Sequence, residues 1–100
     1  MVKVNKTLTY SIIATLKIKK GKFDEAVRIL KNFSEWVKSN ERETIHYLTH
    51  KLKGQDVLIV YEQYRDEAAF NVHCKHLMER AKDLLTLVEG NIEVQNLEDI

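Results

Sequence analysis

Strict alternation opens the readable part of this chain. From Leu8 to Ile18, Leu8, Tyr10, Ile12, Ala14, Leu16 and Ile18 fall on one face, and Thr9, Ser11, Ile13, Thr15 and Lys17 fall on the other. A period of two predicts a β-strand with one strongly apolar face. Lys19-Lys20-Gly21-Lys22 interrupts it as a turn. Phe23, Ala26, Val27, Leu30, Phe33 and Val37 then recur at helical spacing, which predicts an amphipathic helix to about Lys38, ended by Ser39-Asn40. Alternation returns from Thr44 to Leu52, and Lys53-Gly54-Gln55-Asp56 reads as a hairpin turn into a strand over 57–64. Asp66 is a good N-cap with Glu67 in the first turn after it. The stripe Phe70, Cys74, Leu77, Ala81, Leu84, Leu85 and Val88 predicts one second helix, with Gly90 as its C-terminal cap. Ile92 and Val94 open a last short strand.

The predicted order is β-α-β-β-α-β, the ferredoxin-like arrangement of the α+β class, in a single domain over residues 1–100. Its antiparallel sheet carries both helices on one face. The strand 57–64 is apolar on both sides, with Val57, Ile59 and Tyr61 on one and Leu58 and Val60 on the other. Two helices cover one face only, so a second copy of the chain is expected on the other. A chain of 100 residues also builds only a modest core, which an interface would enlarge.

Composition removes several classes of function. The net charge of +1 does not suit a nucleic-acid binder that works by neutralising phosphates. Cys74 is the single cysteine, so neither an internal disulfide nor a cysteine metal cluster is expected. Met1-Val-Lys-Val-Asn-Lys lacks the uninterrupted apolar core of a signal peptide, and no stretch approaches the roughly 20 apolar residues of a membrane span. The expectation is a cytoplasmic protein that engages neither membrane nor nucleic acid. There is no glycine-rich phosphate loop.

The densest chemistry lies between Val57 and His73. An apolar run ends in Glu62-Gln63-Tyr64 and passes through Arg65-Asp66 into the helix that bears His73. A carboxylate, a phenol and an imidazole can thus meet in one pocket. His73 lies three residues after Phe70 and four before Leu77, beside the apolar stripe and towards the sheet. It can act as a base near neutral pH, or be a core histidine satisfied by a hydrogen bond. Glu62 shares a strand face with Leu58 and Val60, so it must be paired, exposed or neutralised. It could orient His73, contact a substrate hydroxyl, or pair with Arg65, Lys51 or a charge across a dimer. Tyr64 could donate to a substrate oxygen or pack at the end of the sheet. Trp36 and Tyr47 are each divided between lining a pocket and packing in the core or an interface. His46 and His50 share a strand face but stand roughly 13 Å apart at strand rise, too far to share an ion. His73-x-x-His76 has no evident third ligand, and no metal site is expected. Cys74 is expected to pack as a small hydrophobe.

At two places the sequence resembles the antibiotic biosynthesis monooxygenase domain family of small dimeric α+β barrels. One is Ile12-Ile-Ala-Thr-Leu-Lys-Ile-Lys-Lys-Gly21-Lys; the other is Tyr61-Glu-Gln-Tyr-Arg-Asp-Glu-Ala-Ala-Phe-Asn-Val-His73. Glu41 with Tyr47 matches the family's acidic residue before the second strand and the tyrosine within it. Departures are Glu43 where a glycine is usual, Tyr64 where Trp is common, and His76-Leu77-Met78 where a small residue, a proline and a histidine are frequent. The resemblance implies a homodimer that oxygenates a small aromatic quinol or polyphenol with dioxygen, without flavin, haem or metal. His73 and Glu62 would be the catalytic pair, and Tyr64, Tyr47 and Trp36 would contact substrate. Haem degradation, isomerisation or breakdown of a small signalling carbonyl compound, and a ligand-binding or assembly module without catalysis are the family's other implied roles.

Overall fold

The computed structural model describes residues 9–100. Its elements run β1 (Tyr10–Lys17), α1 (Phe23–Asn40), β2 (Thr44–Lys51), β3 (Val57–Tyr64), α2 (Glu67–Arg80), α3 (Lys82–Thr86) and β4 (Glu93–Leu97). The fold is the expected ferredoxin-like α+β arrangement, with α3 added. The expectation for Leu8 falls outside the described residues. The strands form one antiparallel sheet in the order β2-β3-β1-β4.

The alternation of β1 becomes a register. Ala14 pairs with Val60 and Leu16 with Leu58 across the central β1–β3 ladder, so four apolar side chains form a continuous floor. Onto this floor α1 lays Ala26, Leu30, Phe33 and Val37, all buried. The β2–β3 turn places Gly54 at φ 77°, a left-handed conformation that a side chain would strain. Tyr47 of β2 lies opposite Glu62 of β3, which brings an aromatic ring and a carboxylate together under the helices.

The second helix is not continuous. Ala81, at φ −137° and ψ 26°, breaks it between α2 and α3. The spacing of Cys74, Leu77, Ala81 and Leu84 carries no sign of this break. Ala81 is small and buried, and beyond it Leu84, Leu87 and Val88 are buried as well. Val88 then bridges to Ile18, and the Glu89 amide donates to the Lys17 carbonyl at 2.7 Å. Gly90, at φ 74°, serves the bend into β4 and does not cap a helix, since α3 closes on Leu87.

On the opposite face of the sheet, Leu48, Tyr61 and Ile13 form one row by register. Ile13 and Tyr61 are half-buried, while Leu48 is exposed. Among the described residues nothing is layered over this face, and no helix is long and apolar enough to cross a membrane.

The floor of the core sets a stability prediction. Leu16→Ala should cost about 2–5 kcal/mol, the range for a fully buried leucine in a site that cannot collapse. Urea denaturation measures it, and a loss below about 1 kcal/mol would contradict the placement of Leu16 in the core.

Candidate active site

Local sequence fixes where His73 stands. The Asp66 carboxylate accepts the Ala69 amide at 2.8 Å, so α2 starts directly after β3. Ala69 is small and buried, which lets the first turn of α2 approach the sheet. His73 lies four residues on, on the same helical face, and is only 2% exposed. Its ring sits among Phe33, Tyr47 and Tyr64, with centroids 5.5, 5.0 and 5.3 Å away.

Behind this ring is Glu41. It follows the last residue of α1 in an extended conformation, and its amide donates to the Val37 carbonyl at 2.9 Å. That cap directs its side chain beneath α2, where it is 5% exposed. His73 Nδ1 lies 3.0 and 3.2 Å from the two carboxylate oxygens, His76 Nδ1 lies 2.8 Å from Oε2, and the Thr44 hydroxyl donates to Oε1 at 2.7 Å. Burial alone pushes the Glu41 carboxyl up. The hydrogen bonds from His73, Thr44 and His76, with the attraction of His73, outweigh burial and hold it below the usual carboxylate range. An ionised carboxylate only accepts, so Nδ1 of both histidines carries the proton. In the neutral ring of His73, Nε2 therefore bears the lone pair.

That nitrogen faces a second carboxylate in a different environment. The alternation of β3 puts Glu62 and Tyr64 on the helix side, both buried. The Tyr64 hydroxyl donates to Glu62 Oε1. His73 Nε2 is 3.7 Å from the same oxygen, too long for a hydrogen bond. Burial raises the Glu62 carboxyl above its usual range, with the charge of Glu41 adding to the effect. The Tyr64 hydrogen bond and His73 oppose this without overcoming it. Burial, then the charge of Glu62, also raises the phenols of Tyr64 and Tyr47, so both remain donors.

Glu62, His73, Tyr47 and Cys74 contribute to the wall of a cavity of about 170 Å³ between the sheet and α2, otherwise lined by aliphatic and aromatic side chains. Burial, followed by the charges of Glu62 and Glu41, raises the Cys74 thiol, which favours the protonated form. The volume is close to that of an apolar cavity of roughly 150 Å³ that accepts benzene. The arrangement can hold one ring against an imidazole, and the raised Glu62 carboxyl holds its proton more readily than a free one.

Of the residues singled out from the sequence, His73, Glu62 and Tyr47 meet at this cavity. Tyr64 stands behind Glu62 and reaches the cavity only through it. Trp36 is not brought there. It stacks on Phe33 at 6.1 Å, meets His76 edge-on at 4.9 Å and lies under the Arg80 guanidinium at 4.1 Å. Arg65, a considered partner for Glu62, reaches Glu43 instead at 3.4 Å. The sequence reading assigned no chemical role to Glu41. Its only signal was the resemblance, because an acidic residue just past a helix looks solvated.

Glu62 gives a pH-dependent prediction. A carboxyl whose pKa is raised on folding binds its proton more tightly folded than unfolded. The stability it contributes is complete below the unfolded value, near 4.5, and is lost as pH rises through the folded value. Glu62→Gln does not titrate. Its melting temperature should exceed that of the wild type near neutral pH, with the gap narrowing towards about pH 4. A gap that widens on acidification would contradict the raised Glu62.

Comparison with known proteins follows this geometry. The family model described as antibiotic biosynthesis monooxygenase matches residues 9–81. No curated protein matches the sequence. Among solved structures, a candidate antibiotic biosynthesis monooxygenase from Caulobacter crescentus CB15 superposes with a TM-score of 0.84 at 21% identity, covering 94% of this chain and 92% of that one. A conserved protein from Methanosarcina mazei Go1 gives 0.79 at 20% identity, with 94% and 95% covered. A structure named antibiotic biosynthesis monooxygenase gives 0.81 at 17% identity, with 91% and 98% covered. At these identities the structures establish the shared fold. The match of the family model over most of the described residues places the chain in the antibiotic biosynthesis monooxygenase family.

Proposed function

We propose that the protein is a cytoplasmic, homodimeric monooxygenase that oxidises a single-ring quinol or polyphenol with dioxygen and without an added cofactor. The observation that carries this reading is the His73 imidazole, which pairs through Nδ1 with Glu41 and lines an apolar cavity of one-ring size. His73 Nε2 takes the proton of a substrate hydroxyl. Protonated Glu62, fixed by Tyr64, donates to a substrate oxygen and stabilises the charge that develops there. Tyr47 and the aliphatic wall exclude water. The electron-rich phenolate reduces dioxygen, a carbon–oxygen bond forms, and loss of water leaves a hydroxylated quinone. Hydroquinone and dioxygen thereby balance hydroxyquinone and water, with every electron supplied by the substrate.

A cavity of about 170 Å³ favours one ring over a porphyrin, which counts against the haem-degrading alternative. The row Leu48, Tyr61 and Ile13 supports pairing of two copies through the open sheet face, where their apolar surface would leave water.

Two measurements test the reading. His73→Ala should lower turnover of hydroquinone by about 10²-fold or more while circular dichroism stays native, the loss typical when a general base is removed. Unchanged turnover would remove His73 from the chemistry, and an inert wild type would leave a binding or assembly role. Light scattering at micromolar concentration should report about twice the 11.7 kDa of one chain. A clean monomer would contradict the pairing.

A further inference from the structure

The proposed proton transfer uses only one of the two imidazoles on Glu41. His76 lies three residues beyond His73 on α2, and both rings direct Nδ1 at Glu41. His76 is the closer of the two, at 2.8 Å from Oε2. On the other oxygen, Thr44 donates to Oε1 at 2.7 Å. A carboxylate held by one donor on each oxygen cannot rotate about its last torsion without losing a hydrogen bond. The bonds to His73, at 3.0 and 3.2 Å, therefore fall on a group already fixed in orientation.

His76 is itself braced. Trp36 meets its ring at an interplanar angle of 75°, and the Arg80 guanidinium lies over the Trp36 ring. Beside His76 lies a groove of about 290 Å³, lined by Glu41 itself together with Arg42, Thr44, Val72 and His76, and separate from the one-ring cavity. The His76 side chain is 27% exposed to that side. Its Nδ1 occupies Glu41 Oε2 at the wall of that groove. Without it, water in the groove would compete for Oε2 and draw the carboxylate from His73.

We propose that His76 is a positioning residue, which with Trp36 as its brace holds Glu41 so that His73 keeps its proton on Nδ1 and its lone pair in the cavity. This rests on the reading of His73 as the base, and it gives the single tryptophan a role outside substrate contact.

The test compares wild type, His76→Ala and His76→Gln. Two readouts are taken: the kinetics of hydroquinone oxidation, and the solvent exchange of the His73 ring N–H followed by proton NMR. In His76→Ala, kcat should fall about tenfold with KM within about twofold, as when a partner behind a reacting imidazole is lost. The His73 N–H should exchange with water faster than in the wild type. The glutamine amide can still donate to Oε2, so His76→Gln should keep most of the turnover and the slow exchange. A His73 N–H in His76→Ala that exchanges as slowly as in the wild type overturns the proposal. Should the wild type not oxidise hydroquinone, the oxygenase reading fails, and the exchange measurement still decides whether His76 positions His73.

Discussion

The Glu41 carboxylate, almost wholly removed from water, is the charge around which the site is arranged. An unpaired buried ion costs several kcal/mol, so its position demands donors. They come from two elements: two imidazoles from α2 and a hydroxyl from β2. Each requires its own placement. The extended cap of α1 brings Glu41 under the helix, the Asp66 cap starts α2 at the right point, and the small Ala69 allows close approach. Removing any one donor would leave part of the charge unsatisfied and loosen the ring it holds.

One imidazole separates two carboxylates whose proton affinities are shifted in opposite directions. Glu41 sits below the usual range because hydrogen bonds outweigh burial; Glu62 sits above it because they do not. In the proposed chemistry the first would fix a tautomer and the second would carry a proton. Divergent environments for neighbouring titratable groups are a general route to acid and base roles at one pH. The apolar remainder of the cavity strengthens the effect by keeping the local dielectric low.

The strands were legible because alternation is a local property and the sheet has a dominant buried face. Ile12, Ala14 and Leu16 are as buried as their spacing implies. The break at Ala81 was hidden because the apolar spacing of Cys74, Leu77, Ala81, Leu84 and Val88 runs through it without interruption. In the site, His73, Glu62 and Tyr47 were readable as polar groups placed on apolar faces. Trp36 was not, since its spacing with Phe33 and Val37 fits a cavity wall as well as the outer side of α1. Glu41 was the hardest to see. Its burial depends on α2 crossing over a helix end, a tertiary event that leaves no periodic trace.

The most direct test of the central claim is the tautomer of His73 in the wild type, read at neutral pH from two-bond nitrogen–proton correlations of a uniformly nitrogen-labelled sample. The account predicts that the neutral form of the ring carries its proton on Nδ1 and leaves Nε2 bare. A proton on Nε2 with Nδ1 bare would contradict it, because Glu41 would then hold no donor from His73 and no lone pair would face the cavity.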